Sequence, residues 1–165
     1  MRIQIFFVLL LIVIISSCAK KEEELKDNSI IGTWQLTSWQ AIADSTISYP
    51  YGQDAVGTLI YTEDGEVSLT LAHNNRDTLA SDDRSKIDAE SAKKAYTSYF
   101  AYTGNYKLDK ENKKVIHNIE ISLLPNWQGT QQIRSYQLNK DVLVLSADVV
   151  LGKSHLLKWH RKKTL

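Results

Sequence analysis

Apolar and polar residues alternate along most of the chain after residue 29, with the period of two that a half-buried β-strand produces. Val67, Leu69 and Leu71, for example, are separated by polar residues, so one face of that strand is expected to be buried. Runs of this kind predict about eight strands, over Ile30–Ile42, Val56–Thr62, Glu66–His73, Tyr102–Leu108, Val115–Leu124, Thr130–Leu138, Val142–Val149 and His155–Arg161.

Short polar turns separate most of these runs. Asp64-Gly65 lies between two of them, and an Asp-Gly pair favours a tight hairpin because both central residues take positive φ. Further turns are predicted over Asp109–Lys113, Pro125–Gly129, Asn139–Asp141 and Leu151–Lys153. Connections this short join antiparallel neighbours, which indicates an up-and-down sheet.

One segment changes to a helical period. Its apolar residues recur on a single face of a helix predicted over Asp88–Phe100, and they are Ala92, Ala95, Tyr96, Tyr99 and Phe100. Asp88 is suited to cap the N-terminus of this helix, and the polar stretch Asn74–Lys86 before it predicts a surface loop. The chain is therefore expected to be all-β, a single antiparallel up-and-down β-barrel of about eight strands with one short α-helix.

The start of the chain has a different composition. Ile3–Ile15 is almost wholly apolar, follows Arg2, and is shorter than the roughly 20 residues that span a bilayer. Cys18 is the only cysteine and comes directly after two serines. This arrangement resembles a bacterial lipoprotein signal, which implies cleavage of a signal peptide (residues 1–17) and acyl chains such as palmitate on Cys18. The alternative is an uncleaved anchor with an incidental cysteine.

Residues 18–28 are polar and lack periodicity, which predicts a charged tether between the lipidated Cys18 and a domain over residues 29–165. Within it, Lys20–Glu24 resembles the surface-export signal of Bacteroidota lipoproteins. The resemblance implies an outer-membrane protein displayed at the cell surface. The alternatives are that the protein faces the periplasm, or that this segment is only a charged linker.

Charge and cysteine content restrict the function. The chain carries 20 basic and 19 acidic residues, so it lacks the positive excess that nucleic-acid binding requires. With its single cysteine lipidated, the domain has no disulfide and depends on its core. No motif assigns a cofactor, a metal or a catalytic nucleophile.

Several motifs resemble one family. Gly32-Thr33-Trp34 is similar to the opening of lipocalins, and five further stretches, read in order, resemble the lipocalin-like domain family of bacteria and fungi. They are residues 49–54 (YPYGQD), 57–65 (GTLIYTEDG), 99–104 (YFAYTG), 125–130 (PNWQGT) and 132–134 (QIR). Ala55 and Leu124 depart from the family pattern. The resemblance implies a small closed barrel and no single activity. It also implies that Arg161 stacks on Trp34, a structural contact of about 0.5–2 kcal/mol.

Seven polar or aromatic residues are candidates for binding a ligand inside the barrel, namely Tyr61, Tyr106, His117, Glu120, Gln132, Arg134 and Tyr136. Gln132, Arg134 and Tyr136 share one strand face and form a polar cluster suited to a carboxylate or carbonyl. Arg134 could instead be solvated or pair with Glu120. His117 and Glu120 point to opposite faces of their strand, which argues against a shared metal. The alternative for His117 is a core histidine whose hydrogen bonds are satisfied inside the protein.

These features favour a membrane-anchored binding module that holds a small, mostly apolar molecule without catalysis. One alternative is a barrel enzyme that isomerises or cyclises an apolar substrate, with His117, Glu120 and Arg134 as candidates. The other is a structural or interaction protein of the cell envelope. The polarity and volume of the barrel interior distinguish the three.

Overall fold

The computed structural model describes residues 29–150 and 152–163, which form a closed antiparallel β-barrel. The predicted signal peptide, Cys18 and the charged tether lie outside the described residues. Within the described ranges, no helix has the length and apolarity needed to cross a bilayer. The predicted all-β barrel is thus confirmed for the domain.

The sheet has nine strands, of which eight make the barrel wall. They are β1 (Gly32–Ala43), β2 (Thr46–Ser48), β3 (Val56–Tyr61), β4 (Glu66–Ala72), β5 (Tyr99–Asp109), β6 (Lys114–Ser122), β7 (Gln131–Asn139), β8 (Val142–Val150) and β9 (Lys153–Arg161). From β3 onward each strand pairs with the next, and β1 pairs with both β3 and β9. The short β2, which the sequence did not predict, pairs only with the end of β1.

Hydrophobic residues at alternate positions face the interior, as the period of two predicts. In β4, Val67, Leu69 and Leu71 are buried, and in β3 Leu59 and Tyr61 are buried beside them. The predicted Asp-Gly turn joins these two strands, with Tyr61 paired to Val67 and Gly65 at a φ of 93°. A single apolar core therefore lies inside one rolled sheet.

The helix is shorter than predicted. Helix α1 spans Ala89–Thr97, and its N-terminal cap is Asp88, whose side chain accepts a hydrogen bond from the N–H of Ser91. Tyr99 and Phe100, which were expected on the helix, begin β5 and pair with Ala72 and Leu71 of β4. Extending the sheet stabilises them more than another helical turn that has no buried residue to anchor it.

Short 3₁₀ helices occupy two connections. One, over Arg84–Lys86, lies in the loop predicted before α1, and the other, over Pro125–Trp127, lies between β6 and β7. Proline at the first position of the second helix suits a helix start, where no N–H donor is needed. This second 3₁₀ helix places Trp127 beside the first residues of β5.

The two ends of the barrel differ. At one end, which we call the floor, Trp34 pairs with Arg161, and the guanidinium lies 4.2 Å from the centroid of the indole. Arg161 also donates hydrogen bonds to the carbonyls of Ile31 (2.8 Å) and Ser29 (2.7 Å). The opposite end, which we call the mouth, contains the first residues of β5, β7 and β9. Arg161 thus ties the N-terminal segment across the floor.

Candidate functional site

A hydrogen-bonded cluster lies inside the barrel around His117. Tyrosines aside, His117 is the only polar side chain that is buried in the described part of the chain. Its Nε2 is 2.7 Å from the hydroxyl of Tyr61, and its Nδ1 is 2.7 Å from the hydroxyl of Tyr102. Strands β6, β3 and β5 supply one residue each, so the cluster exists only once the sheet has rolled up. We call these three residues the Tyr–His–Tyr cluster.

All three members of the cluster are uncharged near neutral pH. Burial lowers the pKa of His117 to about 3, and the positive charge of Arg134 acts in the same direction. Burial raises the pKa of Tyr102 to about 12, and it raises the pKa of Tyr61 well above its ordinary value. The interior therefore holds a neutral imidazole between two neutral phenols.

The Tyr–His–Tyr cluster has one hydrogen-bond donor that its two internal hydrogen bonds do not use. A neutral imidazole has one N–H donor and one acceptor nitrogen. One tyrosine therefore donates to the ring, and the other accepts from it, so the second tyrosine keeps an unused O–H. Neither Tyr61 nor Tyr102 has another hydroxyl partner among the described residues. The cluster can thus donate one hydrogen bond to a further acceptor.

Arg134 faces the same interior from β7. Arg134 pairs with Val115 of β6, and Gln132 pairs with His117. Because Val115 and His117 are buried, Arg134 and Gln132 lie on the same, inner face of the sheet. The guanidinium donates to the carbonyl of Ile133 (2.9 Å) and to Oε1 of Gln132 (3.4 Å). In the described ranges, no carboxylate lies within ion-pair distance of Arg134.

Aromatic rings line the mouth above this cluster. Phe100 packs against Trp127 with ring centroids 5.1 Å apart, and Tyr102 lies 6.1 Å from the same indole. The guanidinium of Arg134 is 6.0 Å from the centroid of Trp127. Three rings and one cation therefore lie next to each other between the mouth and His117.

A second aromatic group lies elsewhere on the rim of the mouth. Trp39 meets Tyr51 edge to face at 4.9 Å, and Tyr51 stacks on His73 at 4.8 Å. The indole N–H of Trp39 donates to Nδ1 of His155, at 3.2 Å. These contacts hold the 49–54 segment against the ends of β1, β4 and β9.

One buried donor lacks a partner among the residues that the structure describes. The indole nitrogen of Trp159 is inaccessible to solvent, and none of the described residues accepts a hydrogen bond from it. Trp159 pairs with Leu36 on β1 and Leu143 on β8, across the barrel from Tyr102. Unsatisfied buried N–H groups are rare in native proteins, so the indole N–H of Trp159 is a donor that an additional acceptor would satisfy.

The structure separates the seven predicted ligand-binding residues. Tyr61, His117, Gln132 and Arg134 lie together. Glu120 does not join them, because it is exposed on the outer surface, where it accepts a hydrogen bond from Asn105 (2.9 Å). The alternative in which Arg134 pairs with Glu120 is therefore wrong: the two residues lie on opposite sides of the barrel wall.

The other two predicted residues lie toward the floor. The hydroxyl of Tyr106 donates to the carbonyl of Thr62 at 2.9 Å, while its ring packs on Tyr61. Tyr136 is buried near the start of β6, with the ammonium of Lys113 5.9 Å from its ring. Tyr136 also lines an open surface cavity of about 400 Å³ together with Lys113, Gln137 and Leu138.

Sequence reasoning did not select Tyr102, Phe100, Trp127 or Trp159 as site residues. The strand period holds a signal for two of them, because Phe100 and Tyr102 share parity with Tyr106 on β5. Trp159 likewise shares parity with Leu157 on β9, whereas for Trp127, which lies outside the strands, the pattern holds no signal. Metal binding has no support in the described ranges, where no group of three or more His, Cys, Asp or Glu residues is placed to hold an ion.

These observations define a class of protein: a small closed antiparallel barrel with a Trp–Arg contact at its floor and a polar cluster inside an aromatic mouth. Residues 31–161 match the family described as the lipocalin-like domain. The chain belongs to that family.

A curated relative is known from Aspergillus oryzae. It is the 4'-hydroxy-3'-methoxypropiophenone carrier protein, and it is 36% identical over 58 residues. The match covers 32% of this chain and 52% of the relative, so the chain spans about half the length of that protein.

Proposed function

We propose that the barrel binds a small, mostly apolar molecule through its mouth and holds it without chemical change. The observation that carries this proposal is the aromatic mouth that leads to a neutral hydrogen-bonding cluster. Ligand sites commonly combine apolar walls with a few polar groups that fix orientation. The carrier name of the Aspergillus oryzae relative supports the same role.

The state of His117 favours binding over catalysis. A general base works best with a pKa near the operating pH, whereas the pKa of this imidazole is about 3. Both ring nitrogens are also occupied by tyrosine hydroxyls. His117 therefore serves to orient the two phenols rather than to move a substrate proton.

The binding proposal can be tested on the chain from residue 19 onward, which keeps every strand of the closed sheet. We expect saturable one-to-one binding of the apolar fluorophore N-phenylnaphthylamine. Phe100→Ala removes a ring from the mouth and is expected to weaken binding about fivefold or more. Ile121→Ala is the matched control, because Ile121 is an exposed apolar residue on the neighbouring strand. A failure of the unaltered chain to bind the fluorophore saturably would overturn the proposal.

We also propose that Cys18 carries acyl chains that anchor the protein to the outer membrane, with Lys20–Glu24 directing it to the cell surface. The apolar run before Cys18 and the tether after it support this. Cys18→Ser is expected to move the protein from the membrane to the soluble fraction and to abolish incorporation of labelled palmitate. Ser17→Ala, which keeps a small residue before the cysteine, should leave membrane association and palmitate incorporation unchanged. Membrane retention of Cys18→Ser would contradict the proposal, and resistance to protease on intact cells would contradict surface display.

A further inference from the structure

We propose that the ligand has a flat apolar body that ends in an anionic oxygen group, a carboxylate or a phenolate, which binds Arg134 and the unused tyrosine O–H of the Tyr–His–Tyr cluster. This inference rests on the proposed binding function and adds the chemical class of the ligand.

The interior of the barrel has more hydrogen-bond donors than the acceptors of the described residues can satisfy. The interior offers the guanidinium of Arg134, one phenolic O–H from the cluster and the indole N–H of Trp159. The nearest side-chain acceptor, Oε1 of Gln132, already receives a hydrogen bond from Arg134. An interior with spare donors complements a ligand that brings acceptors.

The positive charge of Arg134 also favours an anionic ligand. Arg134 is close enough to the cluster for its positive charge to act on the pKa of His117 and of Tyr102. Glu120, the acidic residue on the adjacent strand β6, lies on the outer surface. Asp109, the last residue of β5, and Asp141, in the turn before β8, are only partly exposed and lie at the floor. The described residues thus bring no carboxylate to the guanidinium inside the barrel. A guanidinium in such surroundings favours an anionic ligand group.

The arrangement of the aromatic rings at the mouth suits a flat ligand. The rings of Phe100, Tyr102 and Trp127 lie within about 6 Å of one another, in edge and tilted arrangements, next to the guanidinium. Rings arranged this way present flat faces and edges to a further ring. The anionic group is thus expected to lie deeper than the apolar body, between Arg134 and the cluster.

The test uses three compounds that share one phenylpropenyl skeleton: cinnamate, with a carboxylate; benzylideneacetone, with a neutral ketone; and propenylbenzene, with no oxygen. Each is titrated into the chain from residue 19 onward by displacement of N-phenylnaphthylamine. We expect affinity to fall in that order, with cinnamate about tenfold or more tighter than propenylbenzene, which is the effect of a charge-assisted hydrogen bond.

Arg134→Met keeps a flexible, unbranched apolar stem and removes the guanidinium with its charge. It is expected to reduce cinnamate affinity about tenfold while leaving propenylbenzene affinity unchanged. Arg76→Met is the matched control, because Arg76 is an exposed arginine that stacks on Tyr99 outside the cluster. Arg134→Lys, which retains the charge, should keep part of the preference and serves if Arg134→Met fails to fold.

The outcomes separate the two proposals. Equal affinity for all three compounds, or a tighter ketone than carboxylate, overturns the anionic ligand class and leaves the binding function intact. Absence of saturable binding for every compound and for the fluorophore overturns the binding function itself. Loss of the cinnamate preference in Arg134→Met but not in Arg76→Met supports the assignment.

Discussion

Acidification from pH 6.5 to pH 4.5 is expected to lower the free energy of unfolding by roughly 2 kcal/mol through His117 alone. The pKa of this side chain falls from 6.5 in the unfolded chain to about 3 in the barrel, because burial disfavours the imidazolium. Below pH 6.5 the unfolded state therefore binds a proton that the folded state does not. Stability is fully present above pH 6.5 and is lost as the pH falls toward 3.

Urea unfolding at several pH values in this window tests the expectation. His117→Gln removes the titration and should flatten the pH dependence, although it also destabilises the barrel at every pH by disturbing two tyrosine hydrogen bonds. His160→Gln is the matched control, since His160 is exposed on β9 and should leave the dependence unchanged. The pKa of Asp88 is lowered by a hydrogen bond from the N–H of Ser91. Its contribution to the pH dependence of stability is the same in every variant. Identical slopes for His117→Gln and the unaltered chain would contradict the expectation.

Gly104→Ala is expected to cost about 3 kcal/mol or more, enough to unfold a barrel of ordinary stability. A Cβ atom at this position would lie 2.0 Å from the carbonyl oxygen of Asn118 and 3.0 Å from the nitrogen of Glu120. Both atoms belong to the backbone of β6, where the register shifts beside Gly104. The overlap is relieved only by breaking the pairing of β5 and β6 next to the Tyr–His–Tyr cluster.

Thermal or urea unfolding of Gly104→Ala beside Gly129→Ala measures this effect. Gly129 has a φ of 76°, and a Cβ atom there would have no described atom within 4 Å, so its substitution carries only conformational strain. That strain is worth about 1–2 kcal/mol. Equal losses of stability in the two variants would show that the close approach of β5 and β6 is not the constraint that the distances indicate.

The fold was predictable because each strand carries its own signal. Alternating residues in β4 and the Asp64-Gly65 turn are local, and the observed pairing of β3 with β4 follows from them. The end of α1 was not predictable in the same way, because Tyr99 and Phe100 fit the spacing of either a helix or a strand. Their pairing with Leu71 and Ala72, distant in sequence, decides between the two.

The site was predictable only in part. Strand parity correctly separates His117 from Glu120 and groups Arg134 with Gln132. It does not show that Tyr61 and Tyr102 meet the two nitrogens of one imidazole, because those contacts depend on how the rolled sheet staggers its strands. The unsatisfied indole N–H of Trp159, which no described residue accepts, is likewise visible only in three dimensions.

The barrel closes only when the last strand, β9, pairs with the first strand, β1. During synthesis the first strand emerges long before its final neighbour, so β1 and β8 each keep an open edge until Arg161 has been added. Contacts between residues so far apart in sequence are expected to slow folding. A chain truncated before Lys153 would thus keep two exposed strand edges, the kind of surface on which other strands aggregate.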